Sequence, residues 1–453
     1  MSEENLDARK ELAVEDLLPG RLDRLPILTR EQRNWVAILG AFYVFDTVDL
    51  SLAAYTSAAW RLHWGTTVGQ IGLITSATFV GMIVGGMVGG RLSDRYGRRP
   101  LILGGVVVMS AASLATAFAQ NFETVALLRI VTGIGLQAMA GNVLVYASET
   151  LPAAFRGRYS AIIVALGFLA VPVAAVLSTV IVPLSDDSWR WMYAIGALGA
   201  VVALTVGRRL PESVRWLVAN GRIEEADRIV TRLEAECVRR TGGALQAPIP
   251  STAVRPMSLR EVLTRRFLGR LLIAAAGAIG VILIQYGFSS WIPVLLVERG
   301  YTQTQALTYS TALAVAGAIG AFSTYLYIDR WQRKYVIAVI ALLTACSVLV
   351  FGFTGSMPLF FAIGLLGMAC VNAVMSVMYA YLPELFPTGV RGVGVGSAHG
   401  AGRIAGIVGS LIVPAIYAGY GFSAVYVYVA VISVLLAGVI GVFGARTTKE
   451  GID

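Results

Sequence analysis

"LSDRYGRR" (92–99) returns later in the chain as "YIDRWQRK" (327–334), and "ETLPAAFRG" (149–157) returns as "ELFPTGVRG" (384–392). Asp94 matches Asp329, Glu149 matches Glu384, Pro152 matches Pro387 and Arg156 matches Arg391, all at one constant offset. One such match can arise by chance, but two motifs in one register mark a duplication. Each motif is charged and lies between long apolar runs. The repeated unit therefore reads as a set of membrane-crossing segments joined by short polar loops.

Composition agrees. The 453 residues are 57% hydrophobic and 14% charged, with mean hydropathy +0.72; soluble domains carry about 25% charged residues. Apolar runs of about 20 residues, enough to cross a bilayer core, recur from end to end. They predict twelve spans at approximately 35–59, 69–90, 101–120, 123–146, 159–183, 189–207, 267–296, 304–327, 335–354, 357–381, 390–417 and 421–444. All should be helices, because backbone polar groups in lipid must be satisfied within the chain. The short alternating segments of a β-barrel do not occur.

The expected organisation is an all-α membrane protein of two pseudo-symmetric six-helix halves. A cytoplasmic segment 1–34 precedes an N-terminal bundle 35–207. A cytoplasmic linker 208–266 leads to a C-terminal bundle 267–445 and a cytoplasmic tail 446–453. Two parallel repeats with a site between them is a transporter arrangement. The segment 1–34 has no apolar core, so no cleavable signal peptide is expected.

The net charge of +9 raises the question of nucleic acid, which its distribution answers. With the N-terminus inside, 31 of the 36 Lys and Arg fall on cytoplasmic segments or the span ends beside them. Only Arg61, Arg190 and Arg299 fall on outer loops. That is the positive-inside bias of a multi-pass protein of the cell inner membrane. Cys237, Cys346 and Cys370 are scattered, and His63 and His399 are the only histidines, so neither disulfide nor metal spacing is present.

Several motifs are more specific. "GGRLSDRYGRRP" (89–100) resembles the signature loop of the major facilitator superfamily. "LLRIVTGIGLQA" (127–138) resembles its fourth-helix motif, and "PESVRWL" (211–217) the end of helix 6 in its sugar and organic-acid porters. The resemblance covers about residues 35–445. It implies a cytoplasmic gate that latches the halves when the protein faces outward. Its members here are Asp94, Arg95, Arg98, Arg99, Glu149, Arg156, Glu212 and Arg215, with Asp329, Arg330, Glu384 and Arg391 in the second half. Gly81, Gly85 and Gly89 in span 2, and Gly392, Gly396 and Gly400 in span 11, are spaced by four. Such stripes permit close helix approach. Spans 2 and 11 face each other in this superfamily, so a sliding contact between the stripes is expected.

The repeat also separates scaffold from function. The offset that carries Asp94 to Asp329 takes Asp46 and Asp49 to Val281 and Ile284, Arg129 to Gly364, and Arg403 back to Phe168. The gate charges are duplicated and the intramembrane charges are not, so the unduplicated set is the candidate working site. Each such charge costs about 2.5–3.5 kcal/mol at a helix centre and needs a cavity or a partner. Asp46 and Asp49 are three apart on one helix face. Near each other and an arginine, they suit binding and release of a proton. "FDT" (45–47) resembles the first-helix Asp of proton-coupled sugar porters, which partners the helix-4 Arg. That implies an Asp46–Arg129 pair.

Arg403 has no obvious carboxylate partner in the sequence, and a carboxylate substrate would supply one through bidentate geometry that Lys does not match. His399 lies one turn earlier. "FDTVDL" (45–50), "GFSSWIPVLLVERGYTQTQA" (287–306) and "RGVGVG...GRIAGIVG" (391–409) resemble the aromatic acid:proton symporters and nicotinate-type carriers. In that group the functional charges map onto Asp46, Asp49, Arg129 and Arg403. Two departures are Thr47, where the pattern favours Gly, and "ETLPAAFRGR" (149–158), which reads like the sugar and general metabolite branch. Gln285, Tyr286 and Trp291 in span 7, Asn372, Ser376 and Tyr379 in span 10, and Gln137 in span 4 complete the candidate substrate contacts.

The resulting expectation is a monomeric, proton-coupled symporter of a small organic anion, not an enzyme. It should need no cofactor and no nucleic-acid partner, with the proton as its coupling ion. A sugar or polyol symporter is the alternative, supported by "FDT" and "PESVRWL" and opposed by Arg403. A drug:proton antiporter is opposed by the two intramembrane arginines, and a non-transporting receptor by the short linker and tail.

Overall fold

A computed structural model describes residues 14–248, 264–328 and 330–447. Asp329 of the second gate motif, positions 1–13, the end of the linker and the last residues of the tail lie outside the described residues. The described secondary structure is helical, and eleven helical stretches are long and apolar enough to cross a membrane. The last, Val390–Phe443, has 54 residues. A single rod of that length would extend about 80 Å at about 1.5 Å per residue, against about 30 Å of hydrocarbon. It is instead two spans joined at Gly421, whose φ of +79° breaks the helical path. The described chain therefore makes the twelve expected crossings.

Local signals explain the boundaries, and the repeat governs them too. Thr67 and Gln70 form a capping box at the start of span 2; Thr302 and Gln305, their counterparts at the repeat offset, form the same box at span 8. Each satisfies helix N–H groups that lack intrahelical partners. Span 1, Arg30–Trp64, starts at a Thr29–Gln32 capping box and stops at Gly65 in the left-handed conformation.

Close packing within each half rests on glycine. A Cβ at Gly81 would collide with the Ile130 carbonyl oxygen, and one at Gly85 with that of Ile134. In the second half a Cβ at Gly320, the repeat partner of Gly85, would collide with the Ala369 carbonyl oxygen. The span-2 stripe thus packs on span 4, not on span 11. Gly392, Gly396 and Gly400 face open space. This corrects the expected sliding contact between the stripes. Spans 2 and 11 meet through other residues: Ser76 Oγ donates to the Ile407 carbonyl at 3.2 Å, and a Cβ at Gly72 would lie 2.5 Å from the Ser410 carbonyl oxygen.

Those contacts lie toward the end of the molecule away from the Arg-rich loops. At that end Arg61 also pairs with Glu298, and Thr179 of span 5 shares a 2.7 Å hydrogen bond with Thr311 of span 8. The halves are therefore closed at that end, while the open glycine stripe of span 11 lies at the Arg-rich end.

Three short helices cover the Arg-rich end of the first half: Val14–Asp23, Val214–Ala219 and Ile223–Thr241. Arg21 pairs with Asp227 and Glu234 at 2.6 and 2.7 Å, and Arg24 with Glu234 at 2.7 Å. Burial alone would raise the Glu234 carboxyl, but the two arginines outweigh it and hold the group below its ordinary value. The N-terminal helix and the linker helix thus form one charged clasp.

Candidate functional site

Between the halves lies a cavity of about 230 Å³, somewhat below the roughly 300–1,000 Å³ of ordinary ligand pockets. Span 1 contributes Tyr43, Asp46, Thr47 and Ser51. Span 7 contributes Gln285, Tyr286, Ser289, Ser290 and Trp291. Asn372 and Tyr379 come from span 10 and Arg403 from span 11. Span 7 can present so many polar groups because its helix, Arg265–Phe288, breaks before resuming as Ile292–Glu298. Irregular backbone at membrane depth is tolerated where it lines a cavity.

The two span-1 acids take different surroundings. Asp49 is fully buried and pairs with Arg129 at 2.8 Å. Arg129 also lies over the Tyr193 ring, its Cζ 5.0 Å from the centroid. Asp46 is 7% exposed and lines the cavity, with Oδ1 buried and lacking a hydrogen-bond partner among the described residues. The expected Asp46–Arg129 pair is therefore corrected to Asp49–Arg129. The side chains at i and i+3 diverge by about one-sixth of a turn, enough to send one into the bundle and leave the other at its lumen.

Arg403 reaches the same cavity from the opposite half and takes part in no ion pair among the described residues. His399 packs its ring 5.4 Å from that of Tyr379 and does not itself line the cavity. Gln137 points toward Gly86 of span 2, and Ser376 shares a 3.2 Å hydrogen bond with Thr324, so neither reaches the cavity. Tyr43 was absent from the sequence-based set, although it lies one turn before Asp46. Ser289 was also missed, because nothing in "GFSSW" announces where span 7 breaks.

At the Arg-rich end the motif charges pair within each half. Arg98 bonds Asp94 at 2.6 Å and Glu149 at 3.2 Å. In the second half Arg333, the repeat counterpart of Arg98, pairs with Glu384. Arg330, the repeat counterpart of Arg95, was in the expected set; Arg333 was not, although the same offset carries Arg98 to it. Arg95 and Arg330 are exposed. Arg156 Nε donates to the Leu151 carbonyl at 2.8 Å, and Arg391 Nε to that of Phe386 at 3.4 Å, again the same bond in both halves.

Arg156 and Arg215 both pair with Asp23 of the N-terminal helix, a residue the motifs did not signal. Glu212 accepts backbone N–H bonds from Arg98, Arg99 and Ser213 at 2.9, 3.2 and 2.8 Å. Burial raises its carboxyl above the ordinary value, against those three donors and Arg98. It therefore caps the helix Arg98–Thr116, a positional role beyond the gate charge expected of it.

Known proteins bear on this geometry. The family model described as Major Facilitator Superfamily matches residues 37–360 and 325–451. The chain is 32% identical to the putative metabolite transport protein YyaJ of Bacillus subtilis (strain 168), over 95% of this chain and 96% of that one. It is 29% identical to the niacin transporter NiaP of Acinetobacter baylyi, over 96% and 99% of the two chains. Its fold matches the partially occluded, inward open xylose transporter XylE from E. coli with a TM-score of 0.74, at 18% identity, over 92% and 99%. A duplicated six-helix unit enclosing a central cavity, with family matches along nearly the whole chain, makes this protein a transporter of the major facilitator superfamily.

Proposed function

We propose that the chain takes up a small aromatic monocarboxylate together with protons, by alternating access. The observation that carries this reading is that Asp46 and Arg403, supplied by opposite halves, line one cavity. A carboxylate on Arg403 would be held by a planar fork of donors. Tyr43, Tyr286, Tyr379 and Trp291 around the same space suit a flat ring, whose quadrupole favours edge and offset contacts. Similarity to a niacin transporter supports the same substrate class, since niacin is an aromatic-ring carboxylate.

The positive-inside bias favours the Arg-rich end, and with it both termini, on the cytoplasmic side, and similarity to bacterial transporters suits a bacterial inner membrane. The state described here is then inward-facing. Uptake begins in the opposite state. A proton enters at Asp46 and neutralises it, the substrate carboxylate engages Arg403, and the halves rock about the cavity. Loss of the proton to the more alkaline interior returns a negative charge to Asp46, which competes for Arg403 and expels the anion. The Asp49–Arg129 pair keeps spans 1 and 4 together throughout. In the outward-facing state the gate charges would latch the halves across the cytoplasmic end. One copy suffices, because both halves of the same chain line the cavity. No bond-making step and no cofactor are involved beyond the coupling proton.

A sugar symporter is the second reading, favoured by the uncharged hydrogen-bonding groups of Gln285 and Asn372 in the cavity. Proteoliposome uptake with an imposed inward proton gradient separates the two. Labelled aromatic carboxylates should accumulate and be lost when the gradient is dissipated. Sugar accumulation with no carboxylate uptake would overturn the reading.

A further inference from the structure

A second cavity, of about 480 Å³, lies at the Arg-rich end of the first half. Its walls include Trp35 at the start of span 1, Arg99 at the start of span 3, Arg208 and Arg209 at the end of span 6, and Arg232 on the linker helix. Glu31, its one acid, is committed to Arg232 at 3.3 Å. Arg99, Arg208 and Arg209 form no ion pair among the described residues, and Arg99 Nε is buried without a hydrogen-bond partner. The Arg99 Nη2 reaches only the Arg208 carbonyl, at 3.5 Å. Three guanidinium groups outside any ion pair among the described residues, half-buried Arg99 and exposed Arg208 and Arg209, thus line one concave space.

The duplication argues that folding does not require them. At the repeat offset Arg208 becomes Phe443, Arg209 becomes Gly444 and Trp35 becomes Arg270. Lys334 stands in the place of Arg99, and its Nζ is satisfied by the Gly444 carbonyl at 3.2 Å. The second half places an aromatic ring and a bonded lysine at the equivalent corner. The first half leaves an arginine cluster at the depth where spans end and lipid headgroups begin.

We propose that this cavity is a phosphate-binding site, occupied by the headgroup of an anionic phospholipid or by a free phosphate. Guanidinium forks match phosphate oxygens two at a time, and basic pockets between spans are suited to anionic headgroups. This site is independent of the central cavity and of the substrate assigned to it.

The test uses the full purified chain. Native mass spectrometry would count phosphatidylglycerol and phosphatidylcholine retained by the wild type, by Arg208→Gln/Arg209→Gln, and by Arg239→Gln as an exposed control on the linker helix. Thermal unfolding in inorganic phosphate against chloride of matched ionic strength forms the second arm. If the ligand is a lipid, phosphatidylglycerol retention falls roughly fivefold per arginine removed and is unchanged in the control. If it is soluble, phosphate raises the unfolding temperature of the wild type but not of the double variant. Equal lipid retention in all three proteins with no phosphate effect overturns the site, as does an equal loss in Arg239→Gln. Arg209→Gln alone, at an exposed side chain, gives the same readout should the double variant fail to fold.

Discussion

Asp49 holds Arg129 at 2.8 Å in the interior of the first half, while Asp46, three residues earlier on the same helix, faces the central cavity. Removing either member of the buried pair leaves the other uncompensated, at a cost of about 3–5 kcal/mol. Asp49→Asn and Arg129→Gln should each lower the unfolding temperature markedly. Asp49→Asn/Arg129→Gln together should recover much of that loss. Thermal unfolding of the three variants checks this, and additive losses would sink the pairing.

Asp46 has no such partner, so Asp46→Asn should fold and unfold like the wild type. Under the proposed mechanism it should lose gradient-driven accumulation while retaining exchange of substrate across the membrane. Counterflow beside gradient-driven uptake distinguishes the two activities. Full accumulation by Asp46→Asn would remove this residue from proton coupling.

Arg403→Lys retains the charge but replaces the planar fork with a point charge. Carboxylate affinity should fall about tenfold or more, equivalent to about 1.4 kcal/mol or more, with little change in unfolding temperature. Substrate binding by calorimetry provides the measure. Wild-type affinity in this variant would rule out bidentate recognition.

The glycine stripes predict opposite outcomes in the two halves. Gly85→Ala forces a methyl group against the Ile134 backbone, and overpacking of that kind costs about 1–3 kcal/mol. Gly396→Ala adds a methyl group in open space and should leave the unfolding temperature unchanged. If span 11 closes on a neighbour in the outward-facing state, Gly396→Ala should nonetheless slow transport. Comparing stability with transport rate for both variants tests this.

The clasp of the N-terminal helix depends on pH with a definite sign. Glu234 is held below its ordinary value of 4.5 by Arg21 and Arg24. Its contribution is therefore present above the unfolded-state value and is lost as pH falls through the lower folded-state value. Hydrogen exchange in residues 14–23 should accelerate as pH drops through that acidic window, after correction for intrinsic rates. Glu234→Gln should abolish most of the pH dependence.

Much of the molecule was legible before its structure. Twelve crossings, two halves and the duplicated charged loops followed from apolar run length and one constant repeat offset, because lipid leaves a chain few options beyond helices of set length. The same offset extends further than the motifs suggested, to capping boxes at Thr67 and Thr302 and to paired carbonyl bonds at Arg156 and Arg391. It also marked Asp46, Asp49, Arg129 and Arg403 as unduplicated charges.

Which of those charges meet was decided only by tertiary structure. Asp46 and Asp49 are equivalent by spacing, and the rotation and tilt of span 1 against span 4 determine that Asp49 takes Arg129. Gln137 and Ser376 lie on plausible faces, yet helix rotation turns them toward Gly86 and Thr324. The break in span 7 that opens Ser289 and Trp291 to the cavity, and the arrival of Asp23 between Arg156 and Arg215, join residues distant in sequence. Periodicity sets how far a helix extends and which residues share a face. The direction in which that face points depends on packing against all its neighbours at once.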